Sequence, residues 1–210
     1  GSCGTSATDS FTHNTDSVPF CFKFQNAYNP SNNGLMFYYF ATNVDTYTLV
    51  TLQGSNLGES YDDNTTTDYQ WMQTNAGLPA DVGVQFEAGN VTSNTVFARY
   101  TDENDRTWIY TQMSLVIVLD NGKVDEVLWD KGCTGCDAEN CIKNNCAIPV
   151  SECNVNNCDM SAYISWYGTD SGGRYLLSAG QRLSQFQSAS ARSYYDYVKE
   201  NVETQKKSFE

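Results

Sequence analysis

In FCFKF, Phe20, Phe22 and Phe24 alternate with Cys21 and Lys23. A period of two puts the phenylalanines on one face and the cysteine and lysine on the other, which predicts a half-buried strand. Asn29 to Gly34 (NPSNNG) carry turn chemistry. LMFYYFATNV and TYTLVTLQG then predict two aromatic and β-branched strands, broken near Asn43 to Asp45. Gly54 to Asp68 is polar and reads as a loop, and VGVQFEAG and NTVFARYT read as two further strands.

The clearest pattern is TWIYTQMSLVIVLDNGKVDEVLW, where two strand-like runs flank Asp120-Asn121-Gly122. Asn-Gly suits the positive-φ positions of a tight hairpin. Beyond Cys158, SAYISWYG predicts a strand, TDSGG a turn and RYLLSAG a last strand. From Leu183 onward the pattern changes: Leu183, Phe186, Tyr194, Tyr197 and Val198 recur near helical spacing, and Glu203 with Lys207 forms a favourable i,i+4 pair. This predicts a C-terminal helix.

About eight strands with short turns point to a mainly β chain, an antiparallel β-sandwich or jelly-roll-like domain. It carries a disulfide-rich insertion and a C-terminal helix. The expected division is a β-rich core over 1–132 and 159–182, a Cys-rich module over 133–158, and a helical or polar tail over 183–210.

Composition narrows the partners. The 210 residues carry 12 Lys+Arg against 25 Asp+Glu, a formal charge of −13. That surface repels phosphate backbones and anionic lipid, so neither nucleic-acid binding nor membrane docking is expected. The longest apolar runs, LMFYYFA and LVIVL, fall far short of the ~20 residues that cross a bilayer, so no membrane insertion is expected. The chain starts at Gly1 without an initiating Met and reads as mature or trimmed.

Six of the eight cysteines fall in CTGCDAENCIKNNCAIPVSECNVNNC, from Cys133 to Cys158. Zinc needs four ligands, which would leave two of these six idle, and His13 is the only histidine. A redox pair at Cys133 and Cys136 lacks the helix that lowers a thiol pKa, and Asp137 and Glu139 would raise it. Disulfides suit both the even count and the turn-forming residues between, which have little apolar surface to bury. The expected disulfide cysteines are Cys133, Cys136, Cys141, Cys146, Cys153 and Cys158, with Cys3 and Cys21 left to pair with each other. Connectivity inside the cluster stays open.

Two N-glycosylation sequons, at Asn64 and Asn90, fit the same oxidising compartment. Oxygen-rich runs at Thr101 to Thr107 and Tyr61 to Asp68 allow a structural calcium, although neither is an EF-hand loop. No other cofactor and no metal site are expected.

Catalysis finds little support. His13 lies in a polar segment and reads as exposed or capping, and no nucleophile elbow or phosphate loop is present. Glu87 and Glu126 are the carboxylates closest to a glycosidase pair, but nothing joins them. The chain is therefore expected not to be an enzyme. It reads as a secreted or cell-surface structural glycoprotein, a subunit of an extracellular hair, fibril or coat built from identical subunits. The alternative is a carbohydrate-binding or adhesion module, with Trp71 as the sugar-stacking candidate and Trp108, Trp129 and Trp166 as core residues.

Overall fold

A computed structural model describes residues 9–31, 35–52, 81–133, 136–153 and 158–182. The strands among these residues are β1 (Ser17–Asn26), β2 (Met36–Asn43), β3 (Thr48–Thr51), β4 (Val82–Ala88), β5 (Val91–Thr92), β6 (Val96–Thr101), β7 (Thr107–Ile109), β8 (Gln112–Asp120), β9 (Lys123–Trp129), β10 (Cys141–Ile142), β11 (Asn145–Cys146), β12 (Ile148–Pro149) and β13 (Ser161–Gly168). Short 3₁₀ turns occupy Ala138–Asn140, Val150–Glu152 and Ser178–Arg182. The larger sheet has seven strands, ordered β12-β7-β6-β4-β1-β2 with β5 beside β4. The second has four, ordered β3-β13-β8-β9, and β10-β11 forms a separate pair.

The phenylalanine alternation in β1 sets the core. Phe20, Phe22 and Phe24 are fully buried. Phe86 of the neighbouring β4 lies 4.8 Å from Phe20 and 5.1 Å from Phe22, ring centre to ring centre. Leu115, Ile117 and Leu119 of β8 and Ile164 and Trp166 of β13 belong to the same apolar cluster. β1 is not the half-buried strand of the sequence reading: Cys21 and Gln25 on its other face are buried too.

Both Asn-rich hairpins form as their residues require. Asn121 and Gly122 both have positive φ (48° and 82°) and join β8 to β9, while Gly89 and Asn90 (55° and 67°) join β4 to β5. These are the left-handed positions that suit Asn and Gly. The β8–β9 turn is wedged in place, since Phe11 N–H donates to the Gly122 carbonyl and Gly122 N–H donates to that of Thr169.

Four expectations change. The run from Thr107 to Leu119 is not one strand: it breaks at Tyr110–Thr111, and the chain passes there from the larger sheet into the smaller. The sheets are otherwise antiparallel, but β13 runs parallel to β8 from Ser161 beside Gln112 to Gly168 beside Leu119. RYLLSAG is not a strand. Tyr175 makes a single bridge to Thr169, and the chain then turns into Ser178–Arg182, where the Ser178 hydroxyl accepts the Trp166 N–H that β3 is too short to reach. The strands are also more numerous and shorter than the pattern suggests. The expected C-terminal helix lies outside the described residues.

Replacing Phe22 by Ala should lower stability by about 3–5 kcal/mol, because the site sits between rings on the same and the adjacent strand. Urea unfolding of the oxidised protein, comparing midpoints at constant m-value, measures it.

Candidate functional site

The Cys-rich segment is the chain's most distinctive chemistry. It connects the end of β9 to the start of β13. Cys133 bonds to Cys141, Cys136 to Cys146 and Cys153 to Cys158. Cys141 and Cys146 face each other across the β10–β11 hairpin, yet each is tied to a different upstream cysteine, so the base of the hairpin is laced to the irregular segment that follows β9. Lys143 and Asn144 form its tip with φ of 51° and 64°. Loops spanned by 8, 10 and 5 residues correspond to roughly 2–3 kcal/mol each in the chain-entropy picture.

The segment is also packed. Ile148 and Pro149 of β12 pair with Ile109 and Trp108 of β7. Ala147 and Cys158 join the main apolar cluster. The buried Tyr110 donates its hydroxyl to the Ile142 carbonyl at 3.0 Å. Burial, with Tyr100 nearby, holds that phenol well above its usual pKa, so it remains a donor. Lys143 lies over the Tyr100 ring, 5.1 Å from its centre.

Cys21 is disulfide-bonded, and its bond partner lies outside the described residues, as do Cys3, Asn64 and Trp71. Asn90 is exposed at the β4–β5 turn, with Thr92 of its sequon exposed as well. Trp108 and Trp166 are buried, as expected, whereas Trp129 is half-buried and donates its indole N–H to the Asn94 carbonyl at 2.7 Å. A different aromatic group reaches solvent: Tyr28, 68% exposed, meets Phe97 edge-on at 5.6 Å, and Phe97 meets Tyr100 at 4.9 Å. Phe97 and Tyr100 lie three residues apart on β6, and only the fold brings Tyr28, distant in sequence, to them.

Of the candidate carboxylates in the described residues, Glu87 and Asp102 have structural tasks. Glu87 is buried and ion-paired with Lys23 across β1 and β4, whereas Glu126 is exposed on β9 in the other sheet. Burial lowers the pKa of that lysine. In the TDENDRT run, Asp102 is committed to its own loop. One oxygen accepts the backbone N–H groups of Asn104 and Arg106, and the other accepts the Trp108 indole N–H and Arg106 Nε. The Trp108 hydrogen bond first, and then the backbone donors, pull its pKa down to about 2. The acidic run from Tyr61 to Asp68 lies outside the described residues.

His13 departs from expectation. It is neither exposed nor a cap: its Nε2 lies 3.0 Å from Asp45 Oδ2, and both side chains are largely buried. The other Asp45 oxygen accepts the backbone N–H groups of Leu177 and Ser178 at 2.7 and 2.6 Å. Asp170 accepts the backbone N–H of His13 on one oxygen and those of Gly172 and Arg174 on the other. Burial pushes the Asp170 carboxyl up, but those three N–H groups and the charge of His13 outweigh it and leave the pKa below the usual value. The result is a polar clasp that fastens residues 11–16 to the β2–β3 turn and to the loop after β13. Asp45 and Asp170 are far from His13 in sequence and carry no motif, so only the fold reveals them.

Two outcomes follow. Asp102 and Asp170 have lower pKa values folded than unfolded, so their contribution is complete above the ordinary carboxylate range and is lost as pH falls through the folded values. For Asp102 that window runs from 3.8 down to about 2. Urea midpoints should fall across it, and Asp102→Asn should flatten the slope. His13→Ala should cost about 1–3 kcal/mol at neutral pH, read from the same unfolding curves, because it leaves a buried acceptor without its partner.

A family model described as Uncharacterised protein DDB_G0273449 matches residues 21–197. No curated protein matches the chain, and no solved structure does. The matched span covers β1 from Cys21 onward, every later strand and the whole disulfide-laced crossover. On that coverage, the chain belongs to the family described as Uncharacterised protein DDB_G0273449.

Proposed function

We propose that this chain is a secreted structural glycoprotein that serves as a subunit of an extracellular polymer, a surface hair, fibril or coat. The observation that carries the reading is the crossover from β9 to β13. It is held by three disulfides and packed into the main core, a device that keeps its shape where thiols oxidise. The two sheets are read as layers of one sandwich, because Phe20, Phe22 and Phe86 share a cluster with Leu115, Ile117 and Trp166. No helix among the described residues is long and apolar enough to cross a membrane. The side chains that first suggested catalysis, His13 and Glu87, are built into structural ion pairs, which favours a non-catalytic role.

A carbohydrate-binding module is the second reading, favoured by the exposed edge of the Tyr28–Phe97–Tyr100 group. Aromatic faces stack on sugar rings, and Tyr28 offers most of its surface to solvent.

Electron microscopy of untreated native material should show filaments or a regular coat, and its Asn90 peptide should carry a glycan mass. A monodisperse monomer in native material at high concentration by light scattering would remove the polymer reading. Glycan-array binding abolished by Tyr28→Ala would put the sugar-binding reading in its place.

A further inference from the structure

We infer that Tyr28, Phe97 and Tyr100, together with the Asp81 carboxylate, form a binding site for the ammonium group of a lysine side chain on a basic partner protein. The inference is independent of the polymer reading. It competes with sugar stacking for the same aromatic surface.

The rings come from two elements. Tyr28 lies between β1 and β2, and Phe97 and Tyr100 lie on β6. The turn holds Tyr28 in place, because Asn26 Oδ1 accepts the backbone N–H groups of Tyr28 and Asn29 at 2.9 and 3.0 Å. An exposed ring carried on a fixed backbone has less ordering left to lose when it binds. Tyr28 is 68% exposed and meets Phe97 at 5.6 Å with the ring planes 70° apart. Phe97 meets Tyr100 at 4.9 Å with the planes 54° apart. The ring faces therefore turn in different directions. A compact cation is attracted to each such face, as in the aromatic cages that hold alkylated ammonium groups. A sugar ring needs one broad, flat face.

The aromatic group already takes a cation of this kind. Lys143, at the tip of the β10–β11 hairpin, places its Nζ 5.1 Å from the centre of the Tyr100 ring. The Tyr28 end carries a carboxylate instead. Asp81 Oδ1 accepts the Thr101 N–H at 2.7 Å, which seats the carboxylate against β6. The Tyr28 hydroxyl hydrogen-bonds to the same carboxyl group. Burial first, and then the charge of Asp81, raise the Tyr28 pKa, so the phenol stays a neutral donor and the negative charge stays on Asp81.

Charge then selects the occupant. A carboxylate beside inclined ring faces attracts an ammonium group both as a point charge and through the ring quadrupoles. The net charge of −13 steers basic partners toward the chain and repels acidic ones. The lysine that the hairpin sets on Tyr100 shows which cation these rings accept.

The test uses the full oxidised chain with ring-labelled tyrosine, titrated with Nα-acetyl-lysine N-methylamide and followed by NMR at two salt concentrations. The Tyr28 ring resonances should shift saturably with this probe. They should not shift with its norleucine analogue, which keeps the aliphatic stem and lacks the ammonium. Tyr28→Ala should raise the Kd, read from the Tyr100 ring, roughly tenfold or more, because the site loses a ring. Asp81→Asn keeps the oxygen that Thr101 needs, and should raise the Kd roughly threefold and flatten its salt dependence. Tyr39→Ala removes another exposed tyrosine and should leave the Kd unchanged. Equal responses to the lysine and norleucine probes overturn the inference. So does an Asp81→Asn variant with unchanged Kd and salt dependence, or a Tyr39→Ala variant as impaired as Tyr28→Ala. Shifts with methyl glucoside and none with the lysine probe overturn it in favour of sugar stacking. No shift with either probe overturns it and leaves the polymer reading standing.

Discussion

The fold turns on one pairing, β13 lying parallel to β8. Neighbouring antiparallel strands can be joined by a two-residue turn, as β8 and β9 are, but parallel strands need a longer crossover, for which proteins commonly use a helix. Here β9 ends beside the start of β8, and β13 must begin at the same end on the opposite side of β8. The chain between them, from Asp130 to Met160, is polar and turn-rich. It has too few apolar residues to hold a shape by burial. Three disulfides, the short pairing of β12 on β7 and the Tyr110 hydrogen bond hold it instead. The cysteine cluster is thus the covalent form of a crossover that the sheet order demands.

The other end of β8 is closed by different means. There the β8–β9 turn, the N-terminal residues 11–16, the β2–β3 turn and the loop after β13 converge on hydrogen bonds and the His13–Asp45 pair. One end is covalent and insensitive to pH in the ordinary range. The other depends on ionisable groups and should weaken in acid, as Asp170 gains its proton.

Function follows from what these constraints leave exposed. Lys23 with Glu87 and Asp102 with Trp108 are polar pairs that hold chain segments together. Among the described residues, the Tyr28–Phe97–Tyr100 group leaves a small aromatic surface exposed, a feature suited to contact with other molecules. The three disulfides suit an oxidising environment.

The sequence by itself determined the local features. The period of two in FCFKF, the Asn-Gly turn and the disulfide character of the cysteines are all legible because each depends on neighbours a few residues apart. The run from Thr107 to Leu119 was misread as one strand because its apolar character continues unbroken past Tyr110, and only competition between two sheets for the chain divides it. The parallel direction of β13, the cysteine connectivity, the burial of His13 against Asp45 and the meeting of Tyr28 with Phe97 belong to the tertiary structure alone. Each joins residues that are distant along the chain or chosen among equivalent partners. Periodicity carries no information about which distant segment a strand, a thiol or a carboxylate will meet, and that choice is made by the packing of the whole core.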